Sequence, residues 1–186
     1  IRINSQSGKG GVAYVLSREY GMELPKKMHP VLGKLVNARS DEIGKELTPE
    51  QIYDIFRAEF LNLEKPVRLE GFKIMPEDDH YTSVTCTAEV ERDGRIHTIT
   101  GQGNGPIDAF VHAMTEKGWN GFDFVEFHDQ SLGTGSQTEA LAYIMIQMPD
   151  GRKAWGAGMH TNITAAGMAA LLSAFNRQLT GSLIQV

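Results

Sequence analysis

The stretch Gly101-Gln102-Gly103-Asn104-Gly105-Pro106 joins a strand-like run of residues to a helix-like run. A glycine-rich turn at such a corner leaves backbone N–H groups accessible at the helix N-terminus, where an anion can bind. A shorter copy, Gly156-Ala157-Gly158, occurs in the same context further along the chain. Two copies of one unit, each with a glycine turn at its strand-to-helix corner, indicate a small-molecule sensor with internal pseudosymmetry.

The first copy of this unit is predicted to contain three antiparallel strands and a helix. Val67–Met75 is the first predicted strand, and apolar–polar alternation over Val84–Glu91 predicts a half-buried second strand. Asp93-Gly94 is typical of a two-residue hairpin turn, after which Ile96–Thr100 returns antiparallel. Pro106 then begins a helix whose apolar residues follow at helical spacing.

The second copy repeats this order. Strands are predicted at Phe122–Phe127, Ala140–Met148 and Lys153–Met159. Thr161 or Asn162 is predicted to cap the last helix. The offset between the two Asp-Gly-Arg turns is nearly the same as the offset between the two Gly-x-Gly turns. This near-constant offset argues against coincidence, so residues 64–180 are predicted to form a (βββα)₂ repeat.

The last helix contains a run of small residues, which are Ala165, Ala166, Gly167, Ala169 and Ala170. Small side chains allow the backbone of a neighbouring element to approach closely. Two interpretations stay open at this point. The run either packs tightly on the sheet of its own chain or forms a contact between two copies of the chain.

The N-terminal third of the chain is predicted to be helical. Ser7 is expected to cap a first helix, and Tyr20-Gly21 supplies a glycine stop. A second helix begins at Pro25, with Pro30 either kinking it or resetting its start. Thr48-Pro49-Glu50-Gln51 is a capping box for a third helix.

A change of hydrophobic period near Glu64 divides the 186 residues in two. Residues 1–63 are predicted to form a helical subdomain. Residues 64–186 are predicted to form a pseudosymmetric domain with antiparallel sheets, so the fold class is α+β.

The composition argues against several partners. The formal net charge of −5 provides no basic surface for nucleic acid. No apolar run reaches membrane-spanning length, so no membrane partner is predicted. The single cysteine, Cys86, excludes an internal disulfide and fits a reducing, cytoplasmic compartment. Because the chain opens with Ile1 instead of Met, we expect it to be a piece of a longer protein.

Nucleotide, metal and nucleophile motifs fail on their spacing. Ser7-Gly8-Lys9-Gly10 lacks the Ser or Thr that follows the lysine of a phosphate-binding loop. Gly101-x-Gly103 lacks the third glycine of a dinucleotide fingerprint, because Pro106 stands there. None of the six histidines has a partner at ligand spacing on a shared helix face, so no metal site is predicted. No nucleophile elbow or Cys–His pair points to covalent catalysis.

The glycine turn before the Pro106 helix suits a free amino acid. Its N–H groups can bind a carboxylate, and carbonyl or carboxylate oxygens can bind an ammonium group. An aliphatic side chain needs an apolar hole, where burial of a Leu-sized group is worth about 1.5–3 kcal/mol. The candidates for that hole are Ile107, Phe127, Ala140 and Met159. The structural alternative is that Gly103 and Gly105 only permit positive φ or close strand–helix contact.

Two groups of motifs carry a family resemblance. The first is Asn4-Ser5-Gln6-Ser7-Gly8-Lys9-Gly10-Gly11-Val12-Ala13-Tyr14, followed by Gly21-x-x-Leu24-Pro25. The second is Gly101-x-Gly103-Asn104-Gly105-Pro106-x-x-Ala109-Phe110-Val111, together with Trp155-Gly156-x-Gly158. The first group resembles α-isopropylmalate synthase just beyond its catalytic barrel, and the second resembles the C-terminal regulatory domain of that family. The likeness spans nearly the whole chain, and the motifs together are highly specific.

The resemblance implies an acyltransferase of leucine biosynthesis, which condenses acetyl-CoA with 2-oxoisovalerate. The family's barrel holds the divalent metal and the main catalytic residues. That barrel is missing here, so this chain is expected to be inactive alone and to hold no cofactor. The family's regulatory domain is a (βββα)₂ homodimer that binds L-leucine, the feedback inhibitor, near the dimer interface. The implied partners are a second copy, L-leucine and the chain's own barrel.

The resemblance also assigns residues to the leucine pocket. Those at the glycine turn are Gly103, Gly105, Pro106, Ile107 and Asp108, and those in the second copy are Phe127, Ser131, Thr138, Ala140, Met159 and Thr161. Asp108 stands where the family commonly has a small residue, and it either holds the ligand ammonium or faces solvent. Tyr14 matches a tyrosine that the family uses as an auxiliary to catalysis and leucine sensitivity, with a plain helix-face aromatic as the alternative.

Two other functions stay open at this point. A citramalate synthase carries a similar domain that senses isoleucine, and the pocket motifs do not separate β-branched from γ-branched ligands. The other alternative is an architectural dimerisation domain without a ligand.

Overall fold

The computed structural model describes residues 9–181 and has the predicted α+β fold. The elements in chain order are α1 (Lys9–Tyr20), α2 (His29–Ile43), α3 (Pro49–Phe60), β1 (Val67–Pro76), β2 (Val84–Arg92), β3 (Arg95–Gly103), α4 (Pro106–Glu116), β4 (Asp123–Leu132), β5 (Glu139–Gln147), β6 (Lys153–His160) and α5 (Ile163–Leu179). The predicted Ser7 cap lies outside the described residues.

The predicted (βββα)₂ order is confirmed. β1–β2–β3 and β4–β5–β6 form two antiparallel three-stranded sheets, each followed by its helix, α4 or α5. A register shift lies between Leu69 and Gly71 in β1, and another lies between Phe124 and Glu126 in β4. The offset between these two irregularities is the same as that between the Gly-x-Gly turns, so the irregularity occupies equivalent positions in the two halves.

The two Asp-Gly-Arg turns differ from one another. Asp93-Gly94 is the predicted two-residue turn, with the positive φ values of 54° and 75° that such a turn requires. In the second hairpin Gln147 pairs with Lys153, which leaves the five residues 148–152 in the turn. A 2.8 Å hydrogen bond closes this longer turn across its first and last residues. The prediction that the second turn copies the first is therefore wrong in length, although its position is correct.

β4 continues beyond its predicted end at Phe127, to Leu132. Two of the polar residues that obscure this strand, Glu126 and Gln130, face the N-terminal helices. Glu126 Oε1 accepts a hydrogen bond from Lys27 Nζ (2.5 Å). Gln130 Oε1 accepts one from the Glu23 N–H (2.7 Å). A strand whose polar residues bind another element shows no hydrophobic alternation, so its sequence pattern is weak.

Pro30 resets the start of the second helix and does not kink it. Lys26–Met28 form a single 3₁₀ turn, and α2 then begins at His29 with Pro30 in its first turn. The capping box of α3 is confirmed in both directions. Thr48 Oγ1 accepts from the Gln51 N–H (3.2 Å), and Gln51 Oε1 accepts from the Thr48 N–H (2.8 Å).

Two apolar cores lie on opposite faces of the second sheet. The first contains the inner face of the first sheet, α4, α5 and the β5 residues Ala142, Ile144 and Ile146. The second contains α1, α2 and α3 with Tyr143 and Met145 of β5. β5 is therefore buried on both faces, and the N-terminal helices share a core with the second sheet.

Each sheet meets its helix through two glycines of its last strand. A Cβ placed on Gly101 or Gly103 would lie 2.3 or 2.4 Å from a backbone nitrogen of α4. A Cβ on Gly156 or Gly158 would lie 2.2 or 2.1 Å from a carbonyl oxygen of α5. None of these four glycines has a positive φ. The close-contact alternative therefore explains them, because any side chain would push strand and helix apart.

The small residues of α5 are used within the chain. The carbonyl oxygens of Ala166 and Ala170 lie against the glycines of β6, so tight packing on the chain's own sheet is confirmed there. Gly167 faces Ile107 of α4 instead. Ala166, Gly167 and Ala170 thus contact two neighbouring elements, whereas Ala165 and Ala169 line a cavity between α5 and β1.

A buried side chain of α5 holds the connection between α3 and β1. Asn176 is 1% exposed, and its Oδ1 accepts from the Val67 N–H (2.9 Å). Its Nδ2 donates to the carbonyl oxygens of Val67 (2.8 Å) and Leu63 (2.9 Å). Ser173 Oγ accepts from the Leu63 N–H (2.7 Å). The entry into β1 therefore depends on polar groups of the last helix.

Gly156→Ala is expected to destabilise the chain, because its Cβ would meet backbone atoms of α5. Overpacking of this kind costs about 1–3 kcal/mol of unfolding free energy, which urea denaturation measures. Gly71→Ala is the matched control, since Gly71 also lies in a strand but has no atom within 4 Å of an added Cβ. Equal unfolding free energies for the two variants would contradict the close-contact explanation.

Asn176→Ala is expected to cost more than an ordinary polar substitution. It leaves the buried N–H and carbonyl groups of Val67 without this partner, at about 1–3 kcal/mol for each group, and also removes a part-buried contact to the Leu63 carbonyl. Asn162→Ala, which removes an exposed helix cap, serves as the control at about 1 kcal/mol. A loss for Asn176→Ala no larger than for Asn162→Ala, measured by urea denaturation, would show that β1 does not depend on this contact.

Candidate functional site

The first strand-to-helix corner leaves the N-terminus of α4 open. Gly105 is the N-cap residue and has no side chain to cap the helix, and Pro106 has no N–H. The next N–H groups, those of Ile107 and Asp108, lie in the first turn, where a helix provides no partner of its own. A Cβ added to Gly105 would meet no atom within 4 Å, so open space adjoins this corner.

The second corner is closed by its own side chains. Asn162, one of the two predicted caps, is the N-cap of α5, and its Oδ1 accepts from the Ala165 N–H (2.9 Å). The Asn162 N–H in turn donates to His160 Nδ1 (2.9 Å). The two corners therefore differ, and only the first offers a helix N-terminus without a side-chain cap.

Asp108 places a carboxylate beside the open N-terminus. Its Oδ2 accepts from the Asn104 N–H (2.9 Å), and its Oδ1 lies 3.8 Å from His112 Nε2, four residues further along α4. The expectation that no histidine has a carboxylate partner at helical spacing is therefore wrong, although among the described residues these two side chains belong to no group of three that could hold a metal ion. His112 Nδ1–H donates to the carbonyl oxygen of Gln102 (2.5 Å). The Asp108 side chain is 40% exposed, so part of its acceptor capacity faces solvent, where an ammonium group can bind.

An apolar surface continues from the corner onto β4. A Cβ placed on Gly167 of α5 would lie 2.7 Å from Ile107 Cδ1 and 3.4 Å from Phe127 Cε2. The missing side chain at Gly167 thus makes room for both neighbours. Phe127 stays 39% exposed, and Val125 of the same strand stays 40% exposed. Helix N–H groups, a carboxylate and an apolar wall therefore lie together at this corner.

Four other predicted pocket residues lie at the far end of the second sheet. Ser131 is on the same face of β4 as Phe127, about 13 Å along the strand. It is exposed and pairs with the buried Ala140. Thr138 is half-buried just before β5, and Thr161 is exposed just after β6. The structure brings these four to one end of the sheet but not to the corner itself.

Met159 and Tyr14 lie away from the corner. Met159 packs against the core of the N-terminal helices, on the opposite face of the second sheet from Ala140. Tyr14 lies on α1 and is 53% exposed, with its Oη accepting from Arg18 Nη1 (3.2 Å). The structure therefore brings neither side chain to the predicted pocket.

The corner is an open surface and not an enclosed cavity. Cavities of about 520, 250 and 510 Å³ lie elsewhere in the described part of the chain, beside the 148–152 turn, between β1 and α5, and at the end of α3, respectively. An aliphatic side chain resting on Phe127 would keep one side in water unless a further surface covers it.

Other chemistry finds little support in residues 9–181. Within that range, no three His, Cys, Asp or Glu side chains are grouped to hold a metal ion. None of the helices described there has the length and apolar content to cross a bilayer. Cys86 is buried, and burial raises the pKa of its thiol to about 11, so it stays protonated and unreactive at neutral pH.

Gly167 is the corner residue that sequence reasoning did not assign. Gly167 belongs to the run of small residues in α5. That run predicts that another element packs closely against the helix, but it does not identify this neighbour. That neighbour, Ile107, lies far earlier in the chain on another helix. Only the packing of α4 against α5 identifies the pair.

Known proteins resemble this chain over most of its length. Residues 46–179 match the family described as the LeuA allosteric (dimerisation) domain. A 2-isopropylmalate synthase of Clostridium acetobutylicum is 42% identical over 180 residues, which cover 95% of this chain and 32% of that protein. The 2-isopropylmalate synthases of Desulfitobacterium hafniense and Azotobacter vinelandii are 39% and 36% identical, over 98% and 96% of this chain and 32% and 31% of theirs.

The chain spans about a third of the length of the curated relatives it matches. The family match begins just before α3 and ends with α5, so it contains both βββα units. The resemblance carried by the glycine motifs is confirmed by a match of this extent. The chain belongs to the LeuA allosteric (dimerisation) domain family.

Proposed function

We propose that this chain is the leucine-sensing, dimer-forming part of a 2-isopropylmalate synthase. The uncapped N-terminus of α4, next to Asp108 and the exposed Phe127, is the observation that carries the proposal. In the whole enzyme, a barrel outside this chain holds a divalent metal and condenses acetyl-CoA with 2-oxoisovalerate in the cytoplasm. This chain alone has no turnover. Residues 1–63 link the barrel to a sensing domain formed by residues 64–186.

The corner matches the three chemical parts of leucine. The N–H groups of Ile107 and Asp108 bind its carboxylate, and the helix dipole favours that charge. The exposed oxygens of Asp108 bind its ammonium group. The isobutyl group rests on Ile107 and Phe127. A zwitterion suits this corner better than a simple anion, because the Asp108 carboxylate would repel an anion that brought no positive charge.

A second copy of the chain completes the site. The corner is open on one side, and burial of a Leu-sized side chain is worth about 1.5–3 kcal/mol only when water is excluded. The family description names dimerisation, which supports a homodimer whose interface covers this surface. Exposed Phe124, Val125 and Phe127 provide apolar area for such an interface.

The effect of leucine binding is transmitted to the barrel through the second sheet. Ala142 and Ile144 of β5 face α4 and α5, while Tyr143 and Met145 face the N-terminal helices. A shift of α4 or α5 on one face therefore changes the packing of α1–α3 on the other. Coupling of this kind is typically about 1–3 kcal/mol and is reciprocal for binding.

Gly105→Val is expected to weaken leucine binding at least about tenfold in isothermal titration calorimetry, because its side chain fills the open space at the corner. The chain stays folded, since φ at Gly105 is −169°, an extended backbone that valine adopts readily. Gly71→Val, at a strand glycine that also has open space around it, is the control and keeps wild-type affinity.

If leucine titration is unchanged in the Gly105→Val variant, the proposed location of the pocket is wrong. Heat with isoleucine and none with leucine, in the unsubstituted chain, would favour a citramalate synthase. If neither amino acid gives a heat of binding, at protein concentrations where sedimentation shows a dimer, a dimerisation module without a ligand is favoured.

Asp108→Asn is expected to weaken leucine binding by roughly ten- to a hundredfold, because it removes one charged hydrogen bond to the ammonium group. The asparagine Oδ1 still accepts from the Asn104 N–H, so the turn is preserved. Glu116→Gln, at the other end of α4, removes the same charge without touching the corner. If both variants weaken leucine binding equally in calorimetry, Asp108 contributes only through the net negative charge of the chain and not through a direct hydrogen bond to the ammonium group.

A further inference from the structure

The largest departures from pseudosymmetry meet at one place in the fold. The second hairpin turn, residues 148–152, is longer than its counterpart at Asp93-Gly94. α5 has 17 residues where α4 has 11, and the additional turns carry Arg177. These two features and the start of α2 line an open cavity of about 520 Å³. A feature present in only one of two repeated halves calls for an explanation beyond the repeated fold.

The wall of this cavity carries more cations than carboxylates. Among the described residues, its ionisable lining consists of Lys27, Arg152, Lys153, Arg177 and the carboxylate Asp150. Counting Glu126, which pairs with Lys27, the described part of this region has four cations and two carboxylates, the opposite sign from the chain's net charge of −5. A concave surface of one sign concentrates counter-ions because its walls have low dielectric constant.

Two of these cations are held in place by acidic neighbours. Lys27 Nζ lies 2.5 Å from Glu126 Oε1, and Arg152 Nε lies 2.6 Å from Asp150 Oδ2. A hydrogen bond from Lys27 lowers the pKa of the Glu126 carboxyl, so this carboxylate is ionised at neutral pH. Lys27 comes from the segment before α2 and Arg152 from the hairpin turn, so the charges approach the cavity from two separate elements.

Arg177 brings a buried charge to the same wall. Its side chain is 2% exposed, its Nη1 donates to the Trp155 carbonyl (3.0 Å), and its guanidinium carbon lies 4.3 Å from the centre of the Phe60 ring. Burial lowers the pKa of Arg177 to about 10, which leaves it protonated at neutral pH. The nearby charge of Glu59 counteracts part of this lowering.

The rest of the lining is apolar. Val31 of α2, Met145 of β5 and Trp155 of β6 contribute to the wall. Pro30 lies in the first turn of α2, whose N-terminal dipole adds to the positive field. The cavity thus combines an anionic subsite with an apolar one.

We propose that this cavity binds a phosphate-bearing small molecule at the junction of the N-terminal helices and the second sheet. A phosphate group has several oxygens and a double charge, so lysine and arginine side chains from opposite walls can bind it at once. The apolar part of the molecule lies against Pro30, which is half-buried in the lining. Because the walls come from α2 and from the β5–β6 turn, the bound molecule ties these two elements together. This site is separate from the amino-acid corner, and neither proposal depends on the other.

Inorganic pyrophosphate titrated into the whole chain at constant ionic strength tests the site. The chain has two tryptophans, so Trp119→Phe leaves Trp155, a lining residue, as the fluorescent reporter. We expect a saturable change in its fluorescence. Lys153→Gln in that background is expected to weaken binding roughly tenfold, because it removes one charged contact from an exposed strand end.

Lys73→Gln is the matched control, since Lys73 lies on β1 in the other sheet and is expected to leave the affinity unchanged. A non-saturable response, or equal weakening by Lys153→Gln and Lys73→Gln, would overturn the proposal in favour of general charge attraction. Equal affinity for malonate would overturn the phosphate assignment. Leucine titration of the Lys153→Gln variant is expected to be unchanged, which separates failure here from failure of the amino-acid site.

Discussion

The direct contact between strand backbone and helix backbone is the constraint on which this fold depends. Gly101 and Gly103 lie against α4, and Gly156 and Gly158 lie against α5, at distances that no Cβ can share. Because each helix lies flat on the last strand of its unit, its N-terminus emerges at the strand end. The corner where α4 begins is therefore a consequence of glycine packing.

In the described part of the chain, the second sheet packs against other elements on both of its faces, whereas the first sheet does so on one face only. The first sheet has one buried face and one solvated face, as the alternation along β2 predicts. β5 instead is buried on both faces, between α5 on one side and the three N-terminal helices on the other. A central strand of this kind transmits displacement because packed interiors have few voids to absorb it. Both proposed sites touch this sheet, one on each face.

Pseudosymmetry is retained where packing requires it and lost where ligands are proposed. The register shifts of β1 and β4 repeat at the same offset as the glycines. The helix caps do not repeat, since Gly105 leaves α4 uncapped while Asn162 caps α5. The hairpin turns do not repeat either. The two halves therefore share one backbone arrangement but differ in the hydrogen bonds that their side chains make. A sequence repeat alone predicts that the two corners are equivalent, and these side chains make them different.

The sequence by itself determined the order of the elements, the two-residue turn at Asp93-Gly94 and the capping box at Thr48, because hydrophobic period, turn chemistry and caps are local properties. It also identified Ile107, Asp108 and Phe127 as candidate site residues through a resemblance. Only the tertiary structure decided that Met159 faces the N-terminal helices, that Gly167 makes room for Ile107 and Phe127, and that β4 extends to Leu132. These outcomes depend on which distant element covers each face, and no local pattern contains that information.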